Sequence, residues 1–294
     1  MGAAGPYRAT LPARLGLLGA VPASSLVIPD AVRAGVRGDR HDPVIDLLRP
    51  VLCDLTRDTF NGLAAFVVPG RDAYSRAQGT PRAGPGAIGA GTPDRLLATF
   101  DHLLPLPEEM ARAIAGVLAS GLPEVPVALP GDLPALSSCV ADTLDGAVQR
   151  ILARPDLLPL SQVVALLLNL LATQVDPATT RGPLRSPFAR LSVAGKATVL
   201  GMLEEPDPVL LAAVQSQLAE PLRGAVRGLL LYLAGGLRAF PAFGTHGTWS
   251  TLDPRTMSVG RRPAGWDVAR FAPCAPDGWN DFTGYYRGRP AAAG

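Results

Sequence analysis

Apolar side chains at Val44, Leu47, Leu48, Val51 and Leu55 recur at the spacing of one helical face, and Asp42-Pro43 ahead of them supplies a cap and a first-turn proline. Pro50 predicts a kink in this helix. A second helix is expected over Arg57–Val67, with Phe60, Leu63, Ala64 and Val67 on one side, stopping at Pro69-Gly70. Between 69 and 93 the chain carries Gly70, Gly79, Pro81, Gly84, Pro85, Gly86, Gly89, Gly91 and Pro93, a density that predicts a flexible loop with no helix or central strand. Thr92-Pro93 then opens a helix to about Leu104, with Leu96, Leu97, Phe100 and Leu103-Leu104 inward.

Two proline-rich connectors, Pro105–Pro107 and Pro123–Pro134, bracket a shorter helix over Glu108–Ala119, and another is expected over Ser137–Ala153. The segment Ser161–Val175 is different in kind. Val163, Val164, Leu166, Leu167, Leu168, Leu170 and Leu171 leave it no polar face, so it belongs at the centre of a bundle. Ser192–Leu203 and Pro208–Leu218 follow as amphipathic helices. The last helix, Leu222–Phe240, pairs Leu222, Val226, Leu229, Leu230 and Leu233 inside with Arg223, Arg227 and Arg238 outside, and its periodicity ends at Pro241. Beyond it Trp249, Trp266, Phe271, Trp279, Phe282, Tyr285 and Tyr286 come without helical spacing, which predicts an ordered extended wrap.

These patterns predict an all-α fold: an irregular multi-helix bundle with a long Pro/Gly-rich loop and an extended aromatic C-terminal tail. Residues 1–40 form an N-terminal arm or a degenerate export signal, 41–240 the helical domain, and 241–294 the C-terminal wrap. The arm includes a moderately apolar run, Leu11–Ala34, that Arg14 and Pro22 interrupt.

Composition narrows the function classes. The chain has 294 residues, 48% of them apolar, enough for a sizeable core. Its net charge of +2 offers no basic face for nucleic acid, and Lys196 is its one lysine, a bias towards Arg and Ala that a GC-rich genome accounts for. Cys53, Cys139 and Cys274 are too few and too scattered for a disulfide scaffold or a zinc site. No segment has the length of a membrane span, because Val163–Leu171 is short and Leu229–Leu237 carries Gly235-Gly236 and is flanked by arginines.

Candidate chemistry is sparse. Gly84-Pro85-Gly86-Ala87-Ile88-Gly89 lacks the following lysine and preceding strand of a phosphate cradle. Gly244–Ser250 is the only stretch with a histidine, His246, among glycines and hydroxyls, and it reads first as a turn. His41, His102 and His246 are scattered, and the adjacent pairs His41-Asp42 and Asp101-His102 face different ways on a helix. Glu108-Glu109 and Glu204-Glu205 sit beside prolines at helix ends as solvated caps. No catalytic, cofactor-binding or metal-ligating residue is assigned.

Three features in order carry a resemblance. They are Phe66-Val67-Val68-Pro69 followed by Gly84-Pro85-Gly86-Ala87 and the helix Arg95–Leu104; Phe188-Ala189-Arg190-Leu191-Ser192 followed by Lys196–Leu203; and Phe240-Pro241-Ala242-Phe243-Gly244 followed by Gly265-Trp266. Over residues 56–268 this series resembles a divergent member of the family of the small third subunit of membrane-bound gluconate dehydrogenase, which accompanies large flavoprotein dehydrogenases of the glucose-methanol-choline type. Phe240 stands where that family has a histidine, Thr245 where a second glycine is usual, and no twin-arginine export signal is present. The resemblance implies a helical accessory subunit without a cofactor of its own, whose partner is a large flavoprotein oxidoreductase. It implies synthesis in the cytoplasm and leaves export together with that partner open. Pro69, Pro85, Phe243, Trp249, Trp266, Trp279 and Tyr285 are the expected partner-binding residues, since exposed aromatics and long Pro/Gly loops are what interfaces use. Two alternatives stand beside it: an enzyme with a pocket around His246, Trp249 and Asp253, and a stand-alone helical structural or ligand-binding protein.

Overall fold

The computed structural model describes residues 43–104, 106–120, 158–247, 251–253, 255, 258–259, 262–263 and 265–266. The expected helix over Ser137–Ala153, the connector Pro123–Pro134, the N-terminal arm, Cys139 and Cys274 lie outside the described residues. What is described is all-α, with one small hairpin near its end.

The centre is the helix Leu160–Val175, in which every residue from Ser161 to Thr173 is buried. A helix without a polar face cannot meet water on any side, so it must be enclosed. Five helices enclose it: Pro43–Val67 (α1), Thr92–His102, Glu108–Ser120, Pro187–Arg190 and Val193–Glu204. In chain order, with the short helices Ala73–Ala77 (α2) and Gly86–Gly89 (α3), these give α4 for Thr92–His102, α5 for Glu108–Ser120, α6 for the central helix, α7 for Pro187–Arg190 and α8 for Val193–Glu204. Pro208–Ser216 (α9) and Leu222–His246 (α10) complete the layer, α10 packing on α1, α4, α8 and α9. Rings from three of these helices meet edge to face: Phe60 and Phe100 at 5.2 Å, Phe100 and Phe240 at 6.1 Å. Phe240 is thus part of the packing.

Helix starts follow local chemistry. Ser186, Ser192, Asp207 and Asp72 each accept a bond from a first-turn amide, and Pro93, Pro187 and Pro208 occupy first turns where no amide is needed. Central α6 has no cap of its own. Asp101, at the end of α4, takes that role from a distance, accepting from the Ser161 amide at 2.8 Å and its hydroxyl at 3.0 Å.

Several expectations are corrected. The region expected to hold two helices, one through Leu55 and one over Arg57–Val67, is one helix, Pro43–Val67, with Pro50 inside it. Thr56 and Thr59 return their hydroxyls to the carbonyls of Leu52 and Leu55, so hydroxyls at the expected break serve the helix without interrupting it. The loop 69–93 is ordered and holds α2 and α3. Its base is a crossing of backbones: the Ala87 amide donates to Val68 at 2.9 Å and the Arg82 amide to Gly70 at 3.0 Å. The crossing requires glycine on both strands, because a Cβ on Gly70 would stand 2.6 Å from the Pro85 carbonyl oxygen, and one on Gly86, at φ +61°, 2.6 Å from the Gly70 Cα.

The last helix does not stop at Phe240 but runs through Pro241 to His246. A proline inside a helix forfeits one bond and costs about 3 kcal/mol. Here the turn beyond it is held from outside, since the Thr245 hydroxyl donates to the Pro241 carbonyl at 2.7 Å and meets the Thr92 hydroxyl at 2.9 Å. After it Leu252–Asp253 pairs antiparallel with Ser258–Val259, a hairpin that periodicity did not predict.

The crossing yields a test. Gly86→Ala should cost about 1–3 kcal/mol in urea unfolding from backbone strain alone, before the clash is counted. Gly84→Ala, with nothing within 4 Å of its added Cβ, should change stability by less than about 0.5 kcal/mol.

Candidate functional site

Beneath the Pro/Gly loop lies a buried polar seam that joins it to the helices. Asp58 of α1 is buried and accepts two bonds from remote segments, the Tyr74 hydroxyl at 2.7 Å and the Ser186 amide at 2.8 Å. Asn61, one turn further, donates to the same Tyr74 oxygen at 3.1 Å. On the central helix, Asn169 donates to Thr59 at 3.1 Å and accepts from the Phe188 amide at 3.0 Å, which pins α7 to α6 and α1. Within the loop, Asp72 accepts from the Ser75 amide and hydroxyl, and Ser75 in turn accepts from the Gly70 amide, so the crossing is braced from below.

Gln78 closes the seam. Its amide nitrogen donates to the Ala65 carbonyl at 2.8 Å and to Thr80 at 2.7 Å, and its oxygen accepts from the Lys196 amine at 2.7 Å. Lys196 has no exposed surface at all. Its amine lies 5.9 Å from the centre of the Phe188 ring. Burial pushes this amine down to about 7, against the opposing pull of Asp72 and Asp58. Burial and the bond to Asp58 push the Tyr74 phenol up to about 12.

Lys196, Asp58, Tyr74, Gln78 and Asn169 were not singled out as site residues from the sequence. For Lys196 a signal existed: the one lysine of the chain stands in register with Val199, Leu200 and Leu203, the buried stripe of α8.

The expected partner-binding residues divide. Pro69 and Pro85 flank the crossing: a Cβ on Gly86 would stand 2.8 Å from the Pro69 carbonyl carbon, and one on Gly70 2.6 Å from the Pro85 carbonyl oxygen. Arg82, Ala83, Gly84 and Pro85 are exposed beyond it. Phe243 is 67% exposed on the last turns of α10, a helix that packs on α3 and whose end is bonded at Thr245 to Thr92 at the start of α4. Trp266 is half-buried, with the Arg262 guanidinium 5.8 Å from its ring. The glycine before it touches the end of α10, since a Cβ on Gly265 would stand 2.0 Å from the His246 carbonyl oxygen. Gly265 is therefore seated against the end of the protein's own last helix. Trp249, Trp279 and Tyr285 lie outside the described residues.

His246 is the exposed last residue of α10, and its ring has no hydrogen-bond partner among the described residues. Among the described residues no three His, Cys, Asp or Glu side chains group to hold a metal ion, and no helix is long and apolar enough to cross a membrane. Cys53 is an exposed free thiol. Surface ion pairs such as Arg57 with Asp94 and Arg238 with Glu204 are exposed enough to contribute under about 1 kcal/mol each. Compared with protein-family models, curated proteins and solved structures, the chain has no match.

Replacing Tyr74 by Phe should cost about 1–2 kcal/mol at pH 7, because Asp58 loses a donor. The variant also changes the alkaline limb. The native phenol holds its proton up to about 12 while the unfolded chain releases it near 10.0, so the native state binds more protons and loses stability as pH climbs between them. Urea unfolding at pH 7, 10 and 11 should show the gap between wild type and Tyr74→Phe narrowing above pH 10.

Proposed function

We propose that this chain is a non-catalytic helical accessory subunit that binds a large flavin-dependent oxidoreductase of the glucose-methanol-choline type and assists its maturation or export. The observation that carries this reading is the convergence of distant motifs. The Pro69 and Gly84–Ala87 segments cross each other, and the helix carrying Phe240–Gly244 is bonded at Thr245 to Thr92, just beyond them. The Gly265-Trp266 turn is seated on the same helix end. Segments as far apart in sequence as Pro69 and Trp266 thus build one end of the molecule.

That end has the character of a binding surface. The exposed residues Arg82–Pro85 stand on a crossing that glycines and hydrogen bonds hold in one shape, so a partner would not have to order them on contact. Phe243 offers an exposed aromatic ring on the last turns of α10, the residue type interface centres favour. The chemistry of the interior points the same way: its polar groups bond to one another and to backbone, which is structural work.

Co-expression with a large flavoprotein dehydrogenase of the glucose-methanol-choline type tests the reading. A tagged chain should retain a yellow, flavin-containing partner through size exclusion. Phe243→Glu should lower the retained flavin at least about tenfold, the loss of one interface anchor, with an unchanged melting temperature. A monomeric chain that turns over substrate alone and loses that activity on His246→Ala would overturn it.

A further inference from the structure

We propose that Lys196 is a proton-operated latch on the loop between Val67 and Thr92: uncharged, it is buried against Gln78 and holds the loop to the helices, and protonated, it favours the loop's release. The proposal does not depend on the identity of any partner.

The geometry places this amine where Gln78 of the loop makes buried polar contacts with both α1 and α8. Gln78 bonds α1 through the Ala65 carbonyl, the loop through Thr80 and α8 through Lys196, so moving it breaks all three. Lys196 makes a single hydrogen bond, and its other N–H bonds meet no acceptor among the described residues. A neutral amine tolerates that arrangement. An ammonium does not, because its charge is held away from water and only the Phe188 ring at 5.9 Å and more distant carboxylates offset the loss.

The charged groups that act on the amine are Asp72 on the loop and Asp58 on α1; Asp58 in turn is bonded to Tyr74 and interacts with Arg190, and Arg185 acts on Tyr74. The Tyr74 phenol, pushed up to about 12, titrates well above the window between pH 7 and 9. Lys196 is left as the group that responds there. When the loop opens, the hydrated amine returns to its ordinary value of 10.5, whereas in the closed form it lies at about 7. Between those values the open state binds one proton more. Opening therefore becomes about tenfold more favourable for each unit the pH falls, and levels off below the closed-state value.

Two measurements on the full chain test this. Because Lys196 is the one lysine among 294 residues, labelling with 13C-lysine gives a single side-chain signal. Its Cε shift should titrate with a midpoint near neutrality; a midpoint in the ordinary lysine range overturns the proposal.

Amide hydrogen exchange reads the loop itself, at the Thr80, Arg82 and Ala87 amides, which are bonded to Ser75, Gly70 and Val68. Intrinsic exchange rises about tenfold per pH unit, and a closing latch opposes it by the same factor, so wild-type rates at these amides should stay nearly flat from pH 7 to 9. In Lys196→Met the opposition is gone, and the same rates should climb about a hundredfold over those two units. Equal slopes in wild type and variant would overturn the latch. So would loop amides that exchange no faster than those of α6, since that result means the amine is released only when the whole protein unfolds. Should Lys196→Met fail to fold, the lysine titration and the comparison of loop with α6 amides in wild type still decide the matter.

Discussion

Enclosure of α6 is the constraint from which the rest of the structure follows. Thirteen consecutive buried residues, Ser161 to Thr173, leave no direction in which this helix can meet water, so its neighbours must close around it completely. Its polar residues must then be satisfied inside. Asn169 is bonded to Thr59 and to the Phe188 amide, Ser161 to Asp101, and Thr173 to the Leu170 carbonyl. These bonds do more than avoid a desolvation cost. Apolar contact alone would let α6 slide or rotate against α1, and a paired amide at Asn169 permits one register.

The same logic runs outward into the loop. A chain segment with as many glycines and prolines as 69–93 has little apolar surface with which to hold itself down, and glycine loses the most conformational freedom when it is ordered. Here order comes from polar contacts with the helices: Asp58 with Tyr74, Gln78 with Ala65 and Lys196, and Ala87 with Val68. Proline contributes by having less freedom to lose. The outcome is a fixed platform with Arg82–Pro85 exposed on top.

How much of this was legible beforehand follows from what periodicity can carry. α6, α8 and α9 announce themselves because their side chains meet other side chains at helical spacing, and their caps, Ser192 and Asp207, are short-range chemistry. The order in the loop was not legible, because it arises from Gly70 meeting Gly86 and from Gln78 reaching across 118 positions to Lys196. The run of α10 through Pro241 was hidden for the same reason: the Thr92 contact that holds the turn after it comes from 153 positions away. The candidate surface was half legible. Pro69, Pro85 and Phe243 stood out by residue type, but only the fold brings their segments to one end of the molecule, and the polar seam supporting them left no mark except a lysine in an apolar register.

That lysine shows what kind of stability the seam provides. A methionine of similar length could fill the space beside Phe188 without any charge to desolvate, and buried ionisable groups are often less stable than such replacements. Lys196 is accordingly a poor choice for stability at neutral pH, where its amine is poised between two charge states. What it offers and methionine does not is a donor that recognises the Gln78 oxygen, and with it a loop position that is specified and can also be released. A rigid platform needs only the first property. A loop that is also to be released needs both, and the latch proposed for Lys196 rests on that combination.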